Sequence, residues 1–233
     1  MTDLPFSAAL IVGAGPGISA SLARALTSAG LKVALAARNI DKLADISAQT
    51  GSKLFAVEAS DPAAVGRLFE QVDAELGPPD VVVFNAAARV RGAIPDLDPE
   101  AVRRAIEVSA FGGFLVAQQA ATRMVPKRHG AILLTGATAS VKGFPLSASF
   151  AMGKFALRGL AQSAARELGP HGIHVAHFVI DGGVRSAVRR DPVDNPDSTL
   201  DPDAIAQAYL AVLAQPRSAW TWEVELRPWI ERF

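Results

Sequence analysis

The 233-residue sequence contains no cysteine, which excludes disulfides, thiolate nucleophiles and cysteine metal sites. It also lacks net charge, because 23 Lys and Arg residues balance 23 Asp and Glu residues. Nucleic acids and polybasic membrane contacts need a cationic excess, so neither partner is expected. No apolar run approaches the ~18 residues of a membrane span, and the first residues do not resemble a secretory signal. We therefore expect a cytoplasmic protein.

Aromatic residues are scarce at 6%, with Tyr209 as the single tyrosine, whereas half of all residues are hydrophobic. The four histidines are too scattered to predict a metal site. The core must therefore consist mainly of aliphatic side chains. We place Tyr209 in the last helix and predict a packing role for it.

Short apolar runs alternate along the chain with longer segments of helical spacing. Near-continuous apolar runs are typical of parallel strands covered on both faces. The predicted strands are Ala8–Val12, Lys32–Ala36, Lys53–Val57, Val81–Phe84, Ala131–Thr135, His174–Val179 and Glu223–Leu226. This alternation predicts an α/β fold with one doubly wound parallel sheet of about seven strands and helices on both faces.

Glycines mark the predicted ends of helices. Gly30, Gly77 and Gly169 each follow a helical segment, where a glycine relieves left-handed strain. No repeat or interdomain linker interrupts the pattern, so we predict a single domain over residues 1–233. The irregular stretch 185–201 is rich in Asp, Pro, Arg and Ser.

A glycine-rich turn connects the first predicted strand to the first helix. Gly13, Gly15 and Gly17 allow the backbone to approach a pyrophosphate, which the amides of the helix N-terminus can bind. Ile18 breaks the GxGxxG spacing, and the pattern fits GxxxGxG better, with Ser19 replacing the last glycine. The turn predicts a dinucleotide site; the alternative is a flexible strand–helix connection.

Cofactor choice is read at the end of the second strand, where an acid would bind the ribose hydroxyl of NAD. Arg38 and Asn39 stand there, with no acid. Arg38 has the forked donors that suit a 2′-phosphate, so we predict NADP(H) over NAD(H). Pro16 counts against this choice, because many NADP users have a basic residue at that position. The alternative role for Arg38 is a solvated surface cation.

Three further motifs complete a close resemblance to the short-chain dehydrogenase/reductase family over nearly the full length. Residues 84–87 (Phe-Asn-Ala-Ala) resemble its Asn-Asn-Ala-Gly motif, residues 181–186 its Pro-Gly-x-x-x-Thr segment, and residues 149–160 its active-site helix. The resemblance implies a Rossmann-type fold, hydride transfer to a small-molecule substrate, a homodimer or homotetramer, and a substrate lid at 185–201. With the glycine turn, it implies cofactor contacts from Gly13, Gly15, Gly17, Ile18, Arg38, Asn39, Asn85, Ala86, Ala87, Thr135, Lys154, Gly182, Val184 and Ser186.

The family's catalytic tetrad is only partly matched. Lys154 matches the family's lysine, whereas Phe150 occupies the position of the tyrosine that acts as general acid. The serine position is Ala137 and the asparagine position is Ser109. The catalytic residues implied by the resemblance are therefore Lys154 and Ser109, in an atypical active site that has lost its phenol.

Three functions stay open for such a site. One is an NADP(H)-dependent reductase with a proton source other than tyrosine, and another is a catalytically inactive NADP(H)-binding sensor or structural protein. The third is cofactor-independent chemistry in the same pocket. Asp181, His177 and Lys154 are candidate acids, although Asp181 could instead cap a turn, His177 could be structural, and Lys154 could serve mainly to bind the nicotinamide ribose. The hydroxyls of Thr138, Ser147 and Ser149 could orient a substrate or water, but alcohols are poor acids.

Overall fold

The computed structural model describes residues 4–231 of the chain. Seven parallel strands form one sheet in the order β3-β2-β1-β4-β5-β6-β7. The strands are β1 (Ala8–Val12), β2 (Lys32–Ala37), β3 (Lys53–Ala56), β4 (Val81–Phe84), β5 (Gly130–Thr135), β6 (Ile173–Ile180) and β7 (Glu223–Leu226). The predicted parallel sheet is confirmed, and the strand bounds differ from the prediction by one residue at most.

Helices cover both faces of the sheet. They are α1 (Ile18–Ser28), α2 (Ala44–Thr50), α3 (Pro62–Leu76), α4 (Pro99–Ile106), α5 (Gly112–Met124), α6 (Ala148–Leu168) and α7 (Pro202–Leu213). A π-helical turn, Glu107–Phe111, joins α4 to α5. In the part of the chain described, no helix is both long enough and apolar enough to span a membrane.

The sheet separates two hydrophobic cores, and β1 contributes to both. Leu10 and Val12 pack in the core that contains α3, α5 and α6. Ala9 and Ile11 pack in the core that contains α1, α2 and α7. A strand buried on both faces cannot alternate polar and apolar residues, which explains the continuous apolar runs in the sequence.

The predicted left-handed conformation is wrong at one helix end, although α6 does end directly before Gly169. Gly30 and Gly77 have positive φ angles, as predicted, but Gly169 has φ −54° and continues into the 3₁₀ turn Gly169–His171. Pro170 is compatible with this turn, because proline is tolerated in the first turn of a helical segment, where its missing N–H would have no partner. The left-handed residue is instead Gly172, with φ +80°.

The strand order positions the functional site. The chain runs outward from β1 to β3 on one side and from β4 to β7 on the other, so β1 and β4 are neighbours at the point where the order reverses. In open parallel sheets, ligands bind at this point, beyond the carboxyl ends of the strands. The turns after β1, β4, β5 and β6 meet there.

Candidate active site

The turn after β1, residues 13–17, is named the phosphate loop here and lies directly against the segment after β4. Gly13 has φ +84°, and a Cβ atom at this position would lie 2.2 Å from the Ala86 nitrogen. A Cβ on Gly15 or Gly17 would instead have no neighbour within 4 Å. No side chain of residues 4–231 caps α1, which begins after Gly17. Open space beside uncapped helix amides fits a bound pyrophosphate.

Asn85 forms hydrogen bonds on both sides of the phosphate loop. Its backbone amide donates to the Val12 carbonyl at 2.8 Å, and its Nδ2 atom donates to the Ser19 hydroxyl at 2.8 Å. These bonds tie the end of β4 to the end of β1 and to the first turn of α1. Across the cavity from Gly15 and Gly17 lie Val184 and Ser186, as the resemblance implies.

A second cavity, of about 300 Å³, lies beyond the end of β2. Arg38 and Asn39 line it, together with Gly13, Ala86 and Ala87 of the predicted set. Lys42 and Glu58 also line this cavity, and sequence reasoning missed both. The available signal for Lys42 was its place four residues after Arg38, within reach of the same strand end.

A third cavity, of about 450 Å³, lies beyond the carboxyl ends of β4, β5 and β6 and is named the Lys154 cleft. Its lining residues include Ile18, Asn85, Ala87, Arg89, Thr135, Ala137, Thr138, Phe144, Ser147, Phe150, Lys154, Gly182, Gly183, Val184 and Arg189. Most of the tetrad positions and several predicted cofactor contacts therefore meet in one place.

Lys154 is almost completely buried at the base of this cleft, with 3% of its surface exposed. Its Nζ atom donates to the Thr135 carbonyl oxygen at 2.6 Å. Burial disfavours the charged ammonium and lowers the pKa of Lys154 to about 8. The side chain therefore carries a proton at neutral pH and loses it only slightly above.

Phe150 and Ala137 form an apolar part of the cleft wall. The Phe150 ring lies with its centroid 5.9 Å from Lys154 Nζ and 5.4 Å from the guanidinium carbon of Arg89. The Ala137 amide donates to the Ser140 hydroxyl at 3.1 Å. Neither side chain has a polar atom that could hold or deliver a proton.

Comparison with known proteins identifies the family. Residues 7–196 match the family model described as short chain dehydrogenase. The chain belongs to the short-chain dehydrogenase/reductase family. A short-chain dehydrogenase/reductase of Armillaria gallica is 33% identical over 220 residues, which cover 89% of this chain and 84% of the relative.

Solved structures of the same family share the fold. A short-chain dehydrogenase from Rhodopseudomonas palustris is 34% identical with a TM-score of 0.82, over 96% of this chain and 99% of that one. An alcohol dehydrogenase from Thermococcus sibiricus, complexed with 5-hydroxy-NADP, is 26% identical with a TM-score of 0.85, over 97% of this chain and 98% of that one. Family membership makes the chain an oxidoreductase-type protein with an NAD(P)-binding fold.

Ser109, at the asparagine position of the family tetrad, does not line the Lys154 cleft. It is fully buried in the π-helical turn between α4 and α5. Its hydroxyl accepts from the Ala88 amide at 3.0 Å and donates to the Ala88 carbonyl at 3.4 Å. A Cβ atom on Gly153 would lie 2.8 Å from Ser109 Cβ, so α6 packs closely over this serine. Ser109 thus holds the backbone that follows Asn85.

The candidate acids Asp181 and His177 also lie outside the lining of the Lys154 cleft. Asp181 is buried and forms an ion pair with Arg227 at 3.3 Å, in place of the turn cap considered from sequence. His177 is completely buried, and its Nδ1 atom donates to Glu223 Oε2 at 3.0 Å. Burial is the main reason why the pKa of His177 falls to about 4, which keeps the ring neutral at pH 7. Its other ring nitrogen has no partner within the described chain.

Glu223 connects this histidine to α6. Both of its carboxylate oxygens accept hydrogen bonds from Arg158, at 2.6 and 2.8 Å. The Arg158 hydrogen bonds are the main cause of a lowered pKa at Glu223. Because Arg158 lies one turn after Lys154, this ion pair secures the active-site helix to the edge strand β7.

Tyr209 cannot replace the missing phenol. It is completely buried and stacks on Phe178, with ring centroids 3.6 Å apart. Its hydroxyl shares a hydrogen bond of 2.8 Å with the Thr135 hydroxyl, and burial raises its pKa far above the ordinary range. The predicted packing role is confirmed.

Gly13→Ala tests the close approach at the phosphate loop. We expect the free energy of unfolding to fall by about 1–3 kcal/mol, because Ala would be strained at φ +84° and would collide with Ala86. NADPH affinity, measured by fluorescence titration, should also fall, since the loop must move. The control is Gly66→Ala in α3, where a Cβ meets nothing within 4 Å. It should stabilise the helix by up to ~1 kcal/mol. Equal effects of the two changes would contradict this account.

Lys154→Met tests the cost of the buried ammonium. The pKa of Lys154 in the folded protein, about 8, lies below its ordinary value of 10.5, so the unfolded chain binds this proton more tightly. The charged lysine therefore lowers stability below pH 8, and this penalty disappears as the pH rises towards 10.5. Urea denaturation should show the variant more stable at pH 7, by on the order of 3 kcal/mol, and equally stable near pH 10.5. Exposed Lys127→Met is the control, and a variant destabilised at pH 7 would refute the expectation.

Proposed function

We propose that this chain is an NADP(H)-dependent oxidoreductase that exchanges a hydride with a small-molecule substrate without a tyrosine acid. One observation carries the proposal: Asn85 lines all three cavities, so the Arg38 cavity, the phosphate-loop cavity and the Lys154 cleft adjoin one another. A dinucleotide has three matching parts: an adenosine, a pyrophosphate and a reactive ring. The chain offers a place for each in that order.

The choice of NADP(H) over NAD(H) rests on two cations. Arg38 and Lys42 line the adenosine-end cavity, are exposed, and form no ion pair with a carboxylate of residues 4–231. A 2′-phosphate would supply the missing anion. Glu58 lines the same cavity and favours the opposite choice, but two cations outweigh one carboxylate. The Thermococcus sibiricus relative, complexed with 5-hydroxy-NADP, supports the same cofactor class.

The chemistry that bound NADP(H) supplies is hydride transfer. The chain must then orient the substrate and supply or accept the proton that accompanies hydride transfer. Within the described lining of the Lys154 cleft, Lys154 is the group whose pKa is lowered by burial, to about 8. General acid catalysis is most efficient when the pKa of the acid lies near the working pH. We assign proton exchange to Lys154 Nζ, and to Ser109 the positioning of the 88–90 backbone.

A catalytically inactive NADP(H)-binding protein, either a sensor or a structural protein, is the second candidate. Phe150 and Ala137 favour it, because two positions that would polarise and protonate a carbonyl carry only hydrocarbon. Loss of a general acid lowers rates by about 10²–10⁴. The cofactor cavities serve both candidates equally, so only the chemistry of the cleft separates them.

Two further features belong to this proposal. Large apolar side chains on α6 and in the region from the π-helical turn to α5 are partly exposed: Phe111, Phe114, Met152 and Phe155. These faces support assembly as a homodimer or homotetramer. The 185–201 segment supports the role of substrate lid, since Val184 and Arg189 line the cleft while Val188 and Val193 are fully exposed. Arg185 holds this segment together through ion pairs with Asp191, Asp197 and Asp201.

The cofactor choice predicts a selective loss of affinity. The double change Arg38→Ala with Lys42→Ala should weaken NADPH binding about 10- to 100-fold, because two charge-assisted contacts are lost. NADH binding, which involves no 2′-phosphate, should change by less than about twofold. Calorimetric titration of both cofactors measures this difference. Arg67→Ala, on the exposed face of α3, is the control. An unmodified protein that binds NADH as tightly as NADPH would disprove the assignment.

Restoring the lost hydroxyls separates the two candidate functions. Phe150→Tyr with Ala137→Ser should raise NADPH-dependent ketone reduction by about 10²–10⁴, the usual value of a general acid. Phe144→Tyr, which adds a phenol elsewhere in the same lining, should raise it little. NADPH consumption is followed on a panel of ketones, imines and activated alkenes.

Each outcome of this assay supports one candidate function or contradicts the assignment of the cleft. An active unmodified protein supports the oxidoreductase. An inactive protein made active by the double change supports the inactive NADP(H)-binding candidate. Inactivity of both contradicts the assignment of the Lys154 cleft as a site of hydride transfer.

A further inference from the structure

The lining of the Lys154 cleft carries charge of one sign. Its charged side chains are Arg89, Lys154 and Arg189, and no acid lines it among the described residues. Neither arginine forms an ion pair with a carboxylate within residues 4–231. Lys154 is buried and committed to the Thr135 carbonyl, whereas the two arginines are exposed. A cleft of this kind favours a negatively charged occupant.

Two buried serines hold the backbone on either side of Arg89. Ser109 forms hydrogen bonds with the amide and the carbonyl of Ala88, at 3.0 and 3.4 Å. Ser149 does the same for Val90, at 3.1 and 2.8 Å. Each hydroxyl thus satisfies both polar groups of one residue, as in a strand pairing. Arg89 lies between Ala88 and Val90. Its Cα position is therefore set by the hydrogen bonds from Ser109 of the π-helical turn and from Ser149 of α6.

The guanidinium of Arg89 is also held in place. Its Nη2 atom donates to the hydroxyl of the buried Ser147 at 2.8 Å, and its carbon lies 5.4 Å from the centroid of the Phe150 ring. The aromatic face attracts the cation and limits its rotation. One donor is used by Ser147, which leaves most of the five guanidinium N–H groups for a ligand. An arginine restrained in this way loses less entropy when it binds.

We propose that Arg89 binds a carboxylate group of the substrate, so that the protein acts on small carboxylic acids bearing a reducible carbon–oxygen or carbon–nitrogen double bond. This inference rests on the proposed function in one respect, namely that the Lys154 cleft receives the substrate. The planar fork of a guanidinium matches a carboxylate through two parallel hydrogen bonds. The cleft volume of about 450 Å³, shared with the reactive end of the cofactor, restricts the substrate to a small molecule.

Matched acid–amide pairs test the inference by direct binding. Oxamate with oxamide, malonate with malonamide, and benzoate with benzamide are titrated calorimetrically into the whole protein, with and without saturating NADP⁺. At least one acid should bind more tightly than its amide by about tenfold or more. Arg89→Ala should weaken that acid about 10- to 100-fold and leave the amide unchanged. Arg89→Lys, which keeps the charge but loses the fork, should recover only part of the affinity.

The controls separate a specific role from a general loss of charge or fold. Arg91→Ala removes an exposed arginine that does not line the cleft, and it should leave acid binding unchanged. Ser147→Ala removes the hydroxyl that holds the guanidinium, and it should weaken the acid by a smaller factor than Arg89→Ala. Thermal unfolding of each variant shows whether the fold is retained. If Arg89→Ala is unfolded, Arg89→Lys and Ser147→Ala decide the question.

Three results would overturn the inference: equal binding of acids and amides, no binding of any of the three acids, or unchanged acid binding in the folded Arg89 variants. Failure of the proposed function gives a different pattern. Acid binding that depends on Arg89, in a protein that binds neither NADPH nor NADP⁺, would reject the cofactor assignment and retain the anion site. Normal cofactor binding without acid binding would reject the anion site alone.

Discussion

The first turn of the chain can approach the segment after β4 only because residue 13 has no Cβ atom. A side chain there would reach within 2.2 Å of the Ala86 nitrogen, and the φ angle of +84° would strain any other residue. This contact brings the uncapped start of α1 next to Asn85. Asn85 in turn lines all three cavities of the candidate site. The three cavities of the candidate site are therefore brought together by one backbone contact at the point where the strand order reverses.

The lysine at the other end of the site shows a conflict between stability and function. Burying Lys154 disfavours its charged form, and its hydrogen bond to the Thr135 carbonyl offsets this cost only in part, since its pKa still falls to about 8. A residue chosen for stability alone would be apolar. The Arg158–Glu223 ion pair and the close contact of Gly153 with Ser109 fix α6 around this lysine. Rigid support of this kind is what a group with a shifted pKa needs to stay in place.

The fold was predictable because its signals are local. Strands buried on both faces must be apolar at every position, and the glycine turn must follow the first of them, so both can be found without knowledge of the neighbours. The site was less predictable because the roles of Ser109 and Asp181 depend on what faces them. Ser109 bonds to the backbone of Ala88, and Asp181 pairs with Arg227, forty-six residues further along the chain. No spacing in the sequence encodes either partner. Arg89 was missed for the same reason, whereas Lys42 had a local signal, its place four residues after Arg38.

Phe150 and Arg89 interact directly in the wall of the Lys154 cleft. The Phe150 ring offers an uninterrupted aromatic face to the guanidinium, while a nearby serine hydroxyl, that of Ser147, binds one of its nitrogens. Ser109 and Ser149 each use their single O–H donor and one acceptor position on the backbone beside Arg89, so neither hydroxyl has a donor left for a proton relay. The polar groups around the cleft thus serve to hold a fixed positive charge. A fixed charge of this kind would stabilise an anionic group, whereas the proton exchange proposed for this cleft is assigned to Lys154, the group among its described lining residues whose pKa is lowered to about 8.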